Sequence, residues 1–179
     1  KPVILGSKER GIVTTCSYEA RKFGVHSGMP GNKAFQLCPH GLFIKGTRGE
    51  YSKYSRWVTQ IIASKAPLFE KASIDEFYLD LTGMDKFFNP LQWTIDLRQQ
   101  IMDETRLPIS FGMASNKMVA KIATDEAKPN GYLHVPFGKE QQFLAPLAVN
   151  KIPGVGGHTY EVLKAMGIKT IADINTRTK

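Results

Sequence analysis

At 179 residues, with 42% hydrophobic and 22% charged side chains, the chain has an ordinary globular composition, with room for one good core or two to three small subdomains. No apolar run approaches membrane-spanning length, the first residues lack a signal-peptide pattern, and Cys16 and Cys38 have neither disulfide-framework nor metal-ligand spacing, which fits a reducing cytoplasm. The excess of 24 Lys and Arg over 16 Asp and Glu, net +8 with a pI near 9.5, points to a polyanionic partner: nucleic acid, nucleotide or an anionic membrane surface.

In chain order, residues 3–6 and 11–15 read as short strands joined by a charged turn at 7–10. "SYEARKFGV" opens a helix with Ser17 as N-cap and Gly24 as stop. A Gly/Pro-punctuated segment follows, with one or two helical turns around 32–38, and then a strand in "LFIKG". From Glu50, Tyr54, Trp57, Val58, Ile61 and Ile62 recur at helical spacing. A second helix, "LQWTIDLRQQIMDETR", sets Trp93, Leu97, Ile101 and Met102 on one face. "LPISFGMA" reads as a strand, "SNKMVAKIATDEAK" as a third helix stopped by Pro129, and "YLHV" as a strand. The last forty-odd residues are helical with Pro/Gly punctuation, so an α+β body precedes a small helical module.

"KASIDEFYLDLTG" raises the question of chemistry. Phe77, Leu79 and Leu81 share one face of a strand, and the same register run backwards would set Asp75 on that apolar face. A charged carboxylate there costs several kcal/mol unless paired. Either the chain turns at 73–76 and both carboxylates are solvated, or Asp75 and Glu76 hold a cation.

Three other segments bear on that choice. Lys117, Lys121 and Lys128 line one side of the third helix, opposite Val119, Ile122 and Ala123; a solvated face is the plainer reading. In "TTCSYEAR", Tyr18 and Arg21 are three apart on one helical face and could clamp a phosphate, or be a half-buried Tyr and a surface Arg. "NKIPGVGGHTYEVLKAMGI" reads as helix, glycine hairpin and helix from about His158 to Met166, a unit whose backbone N–H groups can approach a phosphate closely. Carboxylates for Mg²⁺, an Arg/Tyr pair and a Lys for a triphosphate, and a hairpin for a nucleic-acid backbone are the parts of metal-assisted nucleotidyl transfer.

With "GIVTTCSYEARKFGVHSGMP", "ASIDEFYLDLTG", "ISFGMASNKMVAKIATDEAKPNGY" and "KIPGVGGHTYEVLKAMGI" in this order, the chain resembles the Y-family translesion DNA polymerases, most closely their DNA polymerase IV branch. The resemblance implies an α+β fold: a polymerase-type palm with a mixed sheet, small fingers, and a helical thumb containing a helix-hairpin-helix. It divides the chain into fingers at 1–47, palm at 48–135 and thumb at 136–179. It makes Asp75 and Glu76 catalytic carboxylates binding two Mg²⁺ ions at the tip of a β-hairpin. It assigns Thr15, Tyr18, Arg21 and Lys128 to the dNTP triphosphate. Lys117, Lys121, Gly154, Val155, Gly156 and Gly157 fall to primer-template DNA.

It also implies template-directed, low-fidelity synthesis across damaged DNA, in the cytoplasm and away from membranes. Against the family pattern, the chain starts after the first palm strand, with its further metal-binding Asp, and stops before the little-finger domain and any tail for a sliding clamp. As written, it is therefore expected to be a central fragment, inactive in primer extension and binding DNA weakly and with strong salt dependence. A non-catalytic DNA-binding module is the alternative; a cyclase-type nucleotidyl transferase would have no use for the hairpin.

Overall fold

The computed structural model describes residues 1–47 and 49–175, and these fall into two compact units, Lys1–Tyr51 and Ser52–Lys179. Residue 48, where the sequence puts the start of the palm, and residues 176–179 of the expected thumb lie outside the described residues.

In the first unit, β1 (Val3–Leu5) is the middle strand of three, antiparallel to β2 (Thr15–Cys16) and parallel to β3 (Leu42–Ile44). The two helices are α1 (Tyr18–Arg21) and α2 (Gly31–Leu37), and Ile4, Val13, Ala20, Val25, Ala34 and Cys38 form the buried core. Ser17 caps α1 as its residue type demands: its Oγ accepts the Ala20 N–H at 3.4 Å. The same oxygen accepts the Val3 N–H at 3.1 Å, which ties the helix start to the central strand. Of the expected strand over 11–15, only Thr15 lies in β2, which runs on to Cys16. Val13 N–H goes to Met29 O (2.8 Å) and its carbonyl takes the Gly28 N–H, so this backbone is used up by the 28–30 segment rather than by β1.

The second unit takes in nearly all of α3 (Glu50–Lys65) and then an antiparallel hairpin of β4 (Phe69–Lys71) and β5 (Phe77–Leu79). Next come α4 (Pro90–Thr105), β6 (Phe111–Met113), α5 (Lys117–Glu126) and β7 (Tyr132–His134), the last parallel to β6. The helical module follows: α6 (Glu140–Leu144), α7 (Gly157–Ala165) and α8 (Ile171–Asn175). The helical stripes read from the sequence pack in large part, but Tyr54 and Trp57 of the α3 stripe lie outside the cluster, with Trp57 exposed. Val58, Ile61 and Ile62 meet Leu97 and Ile101, with Phe69, Phe77, Leu79 and Trp93 against them. Met102, expected on that face, is half-buried outside the cluster. Helix α4 starts one residue earlier than expected, because Asn89 caps it and Pro90 suits its first position. Of the strand expected in "LPISFGMA", only 111–113 pairs, while Leu107 and Ile109 pack without pairing.

Helix α5 lies directly on β6. Asn116 Oδ1 caps it through the Val119 N–H at 3.0 Å, and Val119, Ala123 and Val135 form a second core. The close approach depends on Gly112, where a Cβ would stand 2.2 Å from Ala120 O and 2.5 Å from Thr124 N.

Two outcomes are expected. Gly112→Ala pushes a methyl into helix backbone that cannot rotate away, costing about 3 kcal/mol, at the upper end of ordinary overpacking, read as a lowered urea midpoint. Ser17→Ala costs about 1 kcal/mol, and amide exchange speeds up at Val3 and Ala20, the two N–H groups that lose their acceptor.

Candidate active site

The alternation of β5 stops short of Asp75. Ala72 and Ser73 donate their N–H groups to the Glu76 carbonyl at 3.0 and 3.3 Å, closing a turn between β4 and β5. Inside it, Ser73 Oγ accepts the N–H groups of Asp75 (3.3 Å) and Glu76 (3.1 Å) and donates to Asp75 Oδ1 at 2.9 Å. Asp75 is thereby oriented by a neighbour two residues away, and both carboxylates are exposed at the hairpin tip rather than set among Phe77 and Leu79.

Helix α5 faces this hairpin with two of its lysines. Lys121 pairs with Glu76, and Lys117, one turn earlier, pairs with Glu70 of β4 while its Nζ lies 5.5 Å from the Tyr78 ring centroid. The hydrogen-bonded Glu76 carboxylate raises Lys121 above the usual lysine range, against partial burial, which lowers it. The lysine face thus meets carboxylates instead of bulk water.

Lys128 stands just past the C-cap of α5, its Nζ 2.7 Å from Asp125 Oδ1. The loop that carries it is held from α4. Arg98 Nε donates to Ile109 O at 2.7 Å, and its Nη2 donates to Asn130 O (2.8 Å) and Asn130 Oδ1 (2.7 Å), with Asn130 in the left-handed region at φ 49°. Sequence reasoning passed over Arg98. An arginine on a helix carries no local mark of partners eleven and thirty-two residues away.

The donor set can be tested against magnesium. Two adjacent exposed carboxylates are hard oxygen ligands of the kind Mg²⁺ takes one or two of, completing its shell with water and phosphate oxygens. Asp75 and Glu76 fit an ion in that way. Among the described residues no cluster of three His, Cys, Asp or Glu accompanies them, so the two-ion arrangement that the resemblance implies finds no further such ligand there.

The remaining expected residues form two groups. In the first unit, Thr15 lies on β2, and Tyr18 and Arg21 share a face of α1, the guanidinium carbon 5.6 Å from the Tyr18 ring centroid. In the helical module, the element before the glycine hairpin is only a 3₁₀ turn, Val149–Lys151, and α7 starts at Gly157, one residue before the expected His158. Gly154 has φ 92°, a conformation that disfavours a side chain, and Gly156 caps α7 without offering one. A Cβ at Gly154, Gly156 or Gly157 would meet no protein atom within 4 Å. What these glycines leave open is approach from outside, and the first N–H groups of α7 have no intrahelical acceptor.

Residues 1–125 match the impB/mucB/samB family, and residues 138–168 match that family's HHH motif. A DNA polymerase IV of Dehalococcoides mccartyi is 45% identical over 96% of this chain and 45% of its own length; one of Treponema denticola is 44% identical over 97% and 45%. A crystal structure of DinB from Sulfolobus solfataricus superposes with a TM-score of 0.90 at 34% identity, over 99% of this chain and 53% of that one. An insertion ternary complex of Dbh DNA polymerase gives 0.87 at 32% identity, over 99% and 54%. The chain therefore spans about half the length of the relatives it matches. Its α+β architecture is of their polymerase type, with palm, small fingers and a helical thumb containing the helix-hairpin-helix. In sequence, motif order and fold alike, the chain belongs to the impB/mucB/samB family, as part of the DNA polymerase IV branch of the Y-family polymerases.

Proposed function

We propose that this chain is part of a template-directed DNA polymerase that copies damaged DNA at low fidelity, moving a nucleotide from a dNTP to a primer 3′-hydroxyl. The observation that carries the reading is the pair Asp75 and Glu76, set out at the tip of a serine-closed hairpin and faced by a lysine. In a chain of this family, that arrangement is a place for a metal and a triphosphate. Fingers at 1–47, palm at 48–135 and thumb at 136–179 remain the proposed division, with action on DNA in the cytoplasm and any sliding-clamp contact outside these residues.

The residues take separate parts. Ser73 holds one oxygen of Asp75 and leaves the other to a metal, while Lys121 keeps Glu76 at the same tip. Asp75 and Glu76 would hold magnesium, which would supply Lewis-acid activation of a primer hydroxyl and charge stabilisation for a leaving pyrophosphate. The Tyr18 hydroxyl and the Arg21 fork bind triphosphate oxygens with Thr15 beside them, Arg21 contributing bidentate geometry that a lysine lacks. Lys128 is the triphosphate contact proposed for the second unit. Gly154, Val155, Gly156 and Gly157 present backbone N–H groups to a DNA phosphate, a contact that grips without reading sequence. Lys117 and Lys121 are the proposed DNA contacts of α5, and a strand phosphate there would have to draw them from Glu70 and Glu76.

In single-nucleotide primer extension by the full-length natural protein, Asp75→Ala should lower incorporation at least about 100-fold while DNA affinity is retained. Retained incorporation would leave the carboxylates as a solvated turn and favour the DNA-binding module. Arg21→Lys should raise the KM for dNTP about tenfold with a smaller change in kcat, since charge is kept and the bidentate fork is lost.

A further inference from the structure

Beside the carboxylate tip lies a second set of groups, with a different chemistry. Lys71, the last residue of β4, extends its Nζ to two hydroxyls one turn apart on α3, Ser55 Oγ at 2.7 Å and Thr59 Oγ1 at 3.0 Å. Both oxygens act as acceptors. Thr59 spends its own proton on the Ser55 carbonyl at 2.6 Å, so the Ser55 hydroxyl proton is left to donate elsewhere, on a residue only 7% exposed. A cavity of about 420 Å³ opens at this point, lined by Ser52, Ser55, Arg56, Lys71, Ser73 and Ile74.

Its wall carries an ammonium, a guanidinium and three hydroxyls, and no carboxylate. Lys117, Lys121, Lys128 and Lys151 each sit on an acid; among the described residues no ion pair joins Lys71 to one. Two hydroxyl acceptors hold the Lys71 ammonium in place, 5.4 Å from the Phe77 ring centroid, without neutralising it, and Arg56 brings a second cation to the same cavity. Two cations with the Ser52 and Ser55 hydroxyls beside them suit the several oxygens of a phosphate better than the two of a carboxylate.

We infer that this cavity is a binding site for a backbone phosphate of a nucleic-acid strand, with Lys71 and Arg56 as its charged contacts and Ser52 and Ser55 as hydroxyl donors. Its place favours a strand over a free anion. Ser73 lines the cavity and also hydrogen-bonds Asp75, so a phosphate here sits at the foot of the carboxylate tip, where a strand entering the reaction must pass. The inference rests on the reading that the chain works on DNA, and adds to it a contact outside the glycine hairpin.

The test is binding of a short single-stranded DNA oligonucleotide to the whole chain over a range of NaCl concentrations, for Lys71→Met, Arg56→Gln and a control, Lys65→Met, at the far end of α3. Each site variant should reduce the slope of log K against log salt by about 0.7, the value for one phosphate contact on a single strand. The control should leave it unchanged. Arg56 is exposed, so its variant reports even if Lys71→Met lowers the urea midpoint. Unchanged slopes in both site variants, or an equal fall in the control, overturn the site. Inorganic pyrophosphate that binds wild type but not Lys71→Met, while the oligonucleotide slopes stay put, overturns the strand as the source of the phosphate. None of these results depends on incorporation, so loss of the site leaves the Asp75→Ala test of the polymerase reading standing.

Discussion

Ser73 Oγ gathers three hydrogen bonds inside the five-residue turn 72–76, and the orientation of Asp75 rests on it. The register that pairs Lys71 with Phe77 leaves only these five residues to reverse the chain, so Asp75 falls in the turn and not on the face of Phe77 and Leu79. The hydroxyl fixes the shape of that turn, and the hairpin below it is anchored by apolar packing. Phe69, Phe77 and Leu79 lie against the core of α3 and α4. The two lysine pairs from α5 are a weaker support. Both side chains of Lys117–Glu70 are more than half exposed, and such pairs contribute at most about 1 kcal/mol. Lys121–Glu76 is more sheltered, and its worth lies in direction more than in energy, since it brings a cation to the tip.

What the sequence revealed divides along physical lines. Stripes at 3.6-residue spacing were legible because burying one face is what forms the helix, and α3, α4 and α5 each bury the face their residues define. Caps were legible for the same local reason, as at Ser17. Strand lengths were not: whether residues 11–13 pair with β1 is decided by the 28–31 segment that competes for their backbone. The residues of the candidate site could be listed from motifs, but their partners could not. That Lys121 meets Glu76, that Lys71 meets Ser55 and Thr59, and that Arg98 holds Asn130 are all facts about elements brought together by packing.

The second unit shows one economy repeated. Exposed groups are oriented by polar neighbours: Ser73 orients Asp75, and Arg98 fixes the loop after α5 through two hydrogen bonds to Asn130. Each support is a short polar contact to backbone or to a neighbouring side chain. The glycine hairpin does the same by subtraction, since the space where its side chains would stand is left empty.

The division of residue types between the two units gives the molecule its own reporters. Both cysteines, Cys16 and Cys38, are buried in the core of the first unit, and burial pushes the Cys16 thiol up, away from its reactive thiolate form. Both tryptophans, Trp57 and Trp93, stand on α3 and α4 of the second. Thiol labelling therefore follows the opening of the β1–β3 sheet, and indole fluorescence follows the hairpin's supporting helices. One denaturation run with both probes reads the two units separately, with no residue substituted.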